Sequence, residues 1–268
     1  MLSAIGHSAG KGGVDDRLIL PAFSTLRQSQ KLAGTHPGFL GPLCYTIGMN
    51  GIALPPIAAV IAAAGFSRRM GRFKQLLPWG KRTVIQTVVE NLHAAGTVPI
   101  LCITGHRGDE VAAALDGSPA RTLPNPHYAT SEMLSSYQTG IAALENDSSQ
   151  FTIHGSLSFS GALLALADQP HIPVRVIRQV IGQARTTPDQ IVVPSHEMRR
   201  GHPIYLPRRL WDELLALPLE ASLRDLLNRH SADIVYVDVD TDAIRRDMDE
   251  WGEYEGLREE FDQKRSEV

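Results

Sequence analysis

The run Ile57-Ala58-Ala59-Val60-Ile61-Ala62-Ala63 constrains the fold more than any other stretch of the chain. Seven apolar residues with no polar alternation do not suit a strand with one wet face. They predict a strand buried on both sides, as in the middle of a parallel sheet. That strand runs directly into Ala64-Gly65-Phe66-Ser67-Arg68-Arg69-Met70-Gly71-Arg72-Phe73-Lys74-Gln75. Downstream the pattern alternates. Helices are predicted around Val84 to Leu92, closed by Gly96, at Met133 to Leu144 and at Val174 to Ala184; strands are predicted at Val98 to Thr104, Ala162 to Ala167 and Ile191 to Val193. Pro207 to Leu217 and Ala221 to Arg229 read as helical, Ile234 to Val239 as an exposed edge strand, and a Glu- and Arg-rich helix starts near Trp251. Alternation of this kind specifies an α/β fold with a mostly parallel, Rossmann-like sheet flanked by helices.

Residues 1–54 carry no such period: Ser, Gly, Pro, Lys and Arg mix with short apolar pieces. They are expected to be a poorly ordered N-terminal extension, with Met49 as an alternative start, and residues 55–268 a single domain. The net charge of -3 offers no broad basic surface for nucleic acid. No apolar run approaches the roughly 20 residues that cross a bilayer, and the N-terminus lacks a basic segment leading into an apolar one. Cys44 and Cys102 form neither a C-x-x-C pair nor a metal cluster. The expectation is a cytoplasmic protein without nucleic-acid or membrane partners.

In open α/β sheets, ligands bind where strand C-termini meet their loops, which places the segment after Ala63 at a binding edge. Small Ala63, Ala64 and Gly65 let a flat base or ribose approach the backbone, while loop N–H groups and Ser67 can donate to phosphate oxygens. Arg68, Arg69, Arg72 and Lys74 put four cations within seven residues, a density that suits a triphosphate and its departing pyrophosphate. The glycine spacing fits neither a P-loop nor a dinucleotide fingerprint.

These residues resemble the signature A-A-G-x-S-x-R-M-G-x-x-K-Q-L-L of the molybdenum cofactor cytidylyltransferases and related nucleotidyltransferases of the GT-A type fold. Every one of those positions is matched from Ala63 to Leu77. The resemblance implies that Ala63, Ala64 and Gly65 line the base and ribose, that Arg69 and Lys74 hold the triphosphate, and that Gly71 permits the turn. Gln75-Leu76-Leu77-Pro78 favours the cytidylyl branch, hence CTP, over the guanylyl branch. The likeness runs from about Ile57 to Leu257. Met133-Leu134-Ser135-Ser136 is similar to the family's Met-Ser-Ser-Ser, making Ser135 and Ser136 either nucleotide contacts or helix caps. Asp168, in Leu166-Ala167-Asp168-Gln169-Pro170, ends a buried strand where a carboxylate needs a partner, and it fits a Mg²⁺ ligand. Arg200-Gly201-His202-Pro203 resembles the family's R-G-H-P station, offering His202 to the acceptor. Arg224 falls at a Gly-Ala-Arg station in which Ser222 replaces the Gly. Asp247-Met248-Asp249 matches the closing Asp-x-Asp, although Thr-Pro is absent after it; either acid could bind Mg²⁺, and the family pattern selects Asp247.

The expected reaction is Mg²⁺-dependent transfer of a nucleoside monophosphate from CTP to a phosphorylated acceptor of molybdopterin type, with Arg69, Lys74 and Asp168 at its centre. Sugar- or polyol-phosphate transfer is the enzymatic alternative. A noncatalytic accessory protein for a molybdenum hydroxylase or its chaperone is the alternative of another class.

Overall fold

The computed structural model describes residues 54–146 and 159–266; apart from Leu54, the reading of 1–54 as an extension falls outside the described residues. Strand β1 (Ile57–Ala63) is the centre of an eight-stranded sheet and is buried almost throughout. Ala and branched residues on both its faces let helices pack from either side. Ten strands and seven helices are described in all. β2 (Pro78–Trp79) and β3 (Arg82–Thr83) form a separate antiparallel pair. Within the main sheet, β4 (Ile100–Thr104) and β6 (Gly161–Leu166) flank β1 in parallel, and β5 (Ala120–Pro124) extends the sheet beyond β4. On the other side lie β7 (Ile191–His196), with the short β8 (Arg199–Arg200) folded back on it, and β10 (Ile234–Asp238) at the edge. β9 (Ile204–Pro207) runs antiparallel between β6 and β7. The mostly parallel α/β expectation therefore holds, with β9 reversed within the strand order and the short β8 reversed beside β7.

Helices cover both faces. α1 (Val84–Ala95) begins with a capping box, in which the Gln86 N–H donates to Thr83 Oγ1 and the Thr83 N–H to Gln86 Oε1. It ends at Gly96 in the left-handed region, φ 98°. With α4 (Val174–Thr186) it buries Ile85, Val89, Val176 and Val180 against one face. α3 (Met133–Asn146), α5 (Trp211–Ala216) and α6 (Leu223–Arg229) build the opposite core around Tyr137, Ile141, Trp211 and Leu226. α2 (Gly108–Ala114) follows β4, and α7 (Trp251–Ser266) packs Tyr254 and Leu257 against Trp79 in a third, smaller core.

The predicted helix at Pro207 to Leu217 is corrected: only Trp211–Ala216 is α-helical, and Pro207 closes β9. Pro207 is drawn into the sheet because it pairs with Gly161 of β6, and Arg208–Leu210 form a 3-10 turn before the helix. Tertiary pairing thus overrides local pattern. β5 is absent from the sequence reading because Ala120–Pro124 is only half-buried and polar at Arg121 and Thr122.

Gly201 is tightly boxed. A Cβ there would lie 2.3 Å from the Ile244 carbonyl oxygen, the atom that accepts from the His202 N–H at 3.1 Å. Because the obstacle is backbone, Gly201→Ala should destabilise the fold by about 1–3 kcal/mol, seen as a lower urea midpoint with unchanged slope.

Candidate active site

The loop after β1 reverses through two residues in the left-handed region, Ser67 at φ 52° and Gly71 at φ 64°. Gly71 carries that conformation without a Cβ penalty. Ser67 is held in it by its hydroxyl, which accepts from the Lys74 N–H at 3.3 Å and lies 3.3 Å from Gln75 Oε1 as donor. The hydroxyl thus closes the loop on itself and launches Lys74 from a short 3-10 turn.

The four clustered cations diverge. Arg68 lies over the Phe66 ring at 4.5 Å, and Arg72 over Trp251 at 4.4 Å. Only Arg69 and Lys74 reach carboxylates. Lys74 Nζ sits 2.6 Å from Asp168 Oδ2, just past the end of β6, and 2.8 Å from Asp249 Oδ1. Arg69 Nη1 holds the other oxygen of Asp249 at 2.6 Å, with its own side chain 77% exposed. Burial by itself lowers the Lys74 ammonium; the Asp168 and Asp249 carboxylates outweigh it and leave the group raised above its ordinary value. Asp249 is lowered, first by the Lys74 hydrogen bond and then by the charges of Lys74 and Arg69 against the opposing effect of burial.

Asp247 stands beside this cluster without touching Lys74. Its Oδ1 is 3.4 Å from Gln169 Nε2, and desolvation, then repulsion from Asp168 and Asp249, raises its carboxyl. Asp249 is thus the carboxylate that sequence reasoning passed over in favour of Asp247. The signal was present in the Asp-x-Asp spacing, but only the fold reveals which acid meets the lysine. The missing Thr-Pro is compensated locally: Glu253 Oε2 accepts from the N–H groups of Asp249 and Glu250 at 2.8 and 2.9 Å, fixing the start of α7. A depression of about 280 Å³, lined by Arg245, Arg246, Asp247, Glu253 and Leu257, adjoins Asp247.

Ala63 ends β1, with Ala64 and Gly65 following it at the carboxyl edge. The His106 N–H donates to the Ala64 carbonyl at 3.3 Å. Gly105 allows the close contact there: a Cβ on it would fall 2.8 Å from Ala64 Cβ and 2.6 Å from Tyr128 Cβ. Ser135 and Ser136 are buried in the first turn of α3, and neither hydroxyl accepts from a helix N–H, so the capping reading is corrected. Their lone pairs instead meet Asn125, a residue given no role from sequence because it follows the unrecognised β5 and reads as a turn between two prolines. His202 precedes β9 and, with Asn91, Gln169 and Pro203, borders a cavity of about 20 Å³, the size of one water. Burial pushes its imidazole down to about 4, against the pull of Asp168, so it is neutral at pH 7. Arg224 is exposed on α6, and its charge acts on Asp225 rather than on the Lys74 cluster.

The raised carboxyl of Asp247 sets a pH test. In the folded state its ionised form is disfavoured above the usual Asp range, so ionisation subtracts stability as pH rises through that pKa. Asp247→Asn should raise stability at pH 7, read as a higher urea midpoint with unchanged slope, by under about 1 kcal/mol, since solvent screens an exposed side chain. The gain should vanish as pH falls below the ordinary Asp value of 3.8, where folded and unfolded chains are both protonated; equal gain at neutral and acid pH would refute the electrostatic account.

Among the described residues no three His, Cys, Asp or Glu side chains form a ready-made metal cage. Comparison with known proteins identifies the family. The chain is 26% identical over 193 residues to the molybdenum cofactor cytidylyltransferase of Escherichia coli, a match spanning 69% of this chain and 91% of that protein. It is 29% identical over 166 residues to the nicotine blue oxidoreductase of Paenarthrobacter nicotinovorans, covering 59% and 74%. The crystal structure of Rv0371c from Mycobacterium tuberculosis in complex with manganese superposes with a TM-score of 0.58 at 25% identity, covering 76% of this chain and 98% of that one. The family model described as the MobA-like NTP transferase domain matches residues 59–234, and the chain belongs to that family of nucleotidyltransferases.

Proposed function

We propose that the protein transfers a cytidylyl group from CTP to a phosphorylated acceptor of molybdopterin type, releasing pyrophosphate. The observation that carries this reading is the Lys74 ammonium held between Asp168 and Asp249 at the carboxyl edge of the sheet. The relative in Escherichia coli, a molybdenum cofactor cytidylyltransferase, supports both the nucleotide and the acceptor.

An acceptor phosphate is already anionic at neutral pH, so the protein supplies no nucleophile of its own. One acceptor oxygen attacks the α-phosphorus in line, the bond to the bridging oxygen breaks, and pyrophosphate takes the electron pair. Arg69 and Lys74 exchange their carboxylate partners for triphosphate oxygens, orienting the chain and offsetting the charge that builds on the leaving group. Ala63, Ala64 and Gly65 admit the base and ribose, Gly71 and Ser67 shape the loop, and His202 offers the acceptor a neutral hydrogen-bonding ring. Arg224, exposed on α6 beside Asp225, is the second acceptor contact on this reading.

The donor set fits Mg²⁺. Asp168 and Asp247 would hold it: Asp247 pairs with no cation among the described residues, its ionised form is disfavoured by desolvation and by the neighbouring Asp168 and Asp249, and Mg²⁺ needs only one or two carboxylates besides phosphate oxygens and water. When bound, Mg²⁺ supplies charge neutralisation and alignment of phosphate oxygens. A molybdenum hydroxylase or its chaperone would receive the product.

Purified protein is to be assayed for pyrophosphate with CTP, GTP, UTP and ATP against molybdopterin and sugar or polyol phosphates. Turnover is expected with CTP and molybdopterin; turnover with GTP alone sinks the cytidylyl assignment, and turnover only with a sugar phosphate replaces the acceptor. Lys74→Ala and Asp168→Asn should each lower the rate by about 10²- to 10³-fold. An unchanged rate in both would reject the site, and a wild type that binds a hydroxylase without turnover would favour the accessory role.

A further inference from the structure

Asn125 is 2% exposed at the end of β5, and its amide orientation is fixed by chemistry. Its Oδ1 accepts from the His127 backbone N–H at 2.9 Å, a group that can only donate. The amide nitrogen must therefore face the other way, where it donates to Ser135 Oγ at 2.8 Å and Ser136 Oγ at 3.2 Å. Both hydroxyls are thereby made acceptors toward Asn125, and each retains one proton to place.

Ser135 spends its proton locally, on the Glu132 carbonyl at 3.0 Å or on Ser131 Oγ at 2.6 Å. Ser131 in turn donates to the His127 carbonyl at 2.6 Å. Ser136 differs. It is 2% exposed, and its hydroxyl proton has no acceptor among the described residues. A buried hydroxyl that keeps an unused proton loses the hydrogen bond it would make to water. The segment lies at the expected base site: the chain from Asn125 to Tyr128 meets Gly105 and Ala64, and the Asn125 N–H donates to the Thr104 carbonyl at 2.7 Å.

We infer that Asn125 is a positioning residue for nucleobase recognition, holding Ser136 as a hydrogen-bond donor toward a carbonyl oxygen or an unprotonated ring nitrogen of the base. Cytosine presents such acceptors at O2 and N3; guanine presents O6 beside its N1–H and N2–H groups, so the hydroxyl adds affinity for a base acceptor without by itself excluding guanine. The base contact then depends on the direction in which one amide points, separately from the triphosphate contacts. This rests on the nucleotidyl-transfer reading above.

Calorimetric titration of the full chain with Mg²⁺-CTP and with Mg²⁺-tripolyphosphate tests it, using wild type, Asn125→Asp and Ser136→Ala. The carboxylate of Asn125→Asp keeps the His127 contact but obliges both serines to donate to it, withdrawing the proton from the base. Ser136→Ala removes the donor while leaving Asn125 bonded to Ser135. Both variants should bind CTP about 5- to 100-fold more weakly, with tripolyphosphate affinity changed less than about 2-fold. Unchanged CTP affinity in either variant overturns the inference, as does parallel loss of CTP and tripolyphosphate in both, which marks a structural role. Wild type that binds tripolyphosphate but not CTP overturns the base assignment alone; wild type that binds neither overturns the triphosphate reading and this inference with it.

Discussion

A lysine ammonium caught between two carboxylates organises this molecule. Lys74 is 94 residues from Asp168 and 175 from Asp249 in sequence, so one cation fixes the spatial relation of the β1 loop, the end of β6 and the approach to α7. One ammonium between two carboxylates leaves one negative charge over, and Arg69 balances it at Asp249, so the group of four is neutral. On the proposed reading a triphosphate would bind by exchange, displacing carboxylates from Lys74 and Arg69, two cations that the ion pairs already occupy.

The scaffold makes that meeting possible. β1, β4 and β6 run parallel and deliver their C-termini to a common edge, where loops have no further ladder to satisfy and can turn toward a ligand. Packing on both faces of β1 is close enough that Gly140 of α3 has no room for a side chain, since a Cβ would lie 2.3 Å from Val60. The helix that carries Ser135 and Ser136 is therefore pressed directly against the strand that carries Ala63. Close packing at that contact fixes the position of α3 against β1.

Sequence made the central architecture legible because its signals are local: a double-sided apolar strand, a capping box at Thr83 and a terminating glycine at Gly96 all act over a few residues. The Ala63 to Leu77 signature located the loop for the same reason. The divergence of Arg68 and Arg72 onto the aromatic rings of Phe66 and Trp251 was hidden, because charge density along a chain does not reveal direction. The partnership of Asp249 with Lys74, and of Asn125 with two serines, was hidden because each spans elements whose approach is decided by sheet order. β9 escaped notice since its four residues form a strand only through β6 and β7.

That reversed strand has a consequence for how the chain divides its labour. A strand running against its neighbours starts at the edge where they finish, so His202 and Pro203, at the entrance to β9, arrive beside the carboxyl end of β6 without any long loop to carry them. The loop after β1 depends on β1 and β4, whereas the His202 segment depends on β9 and the Ile244 turn. The two sides of the cleft are thus underwritten by separate stretches of the gene. A substitution in one of these stretches can therefore alter its wall while the backbone pairing that shapes the other is untouched.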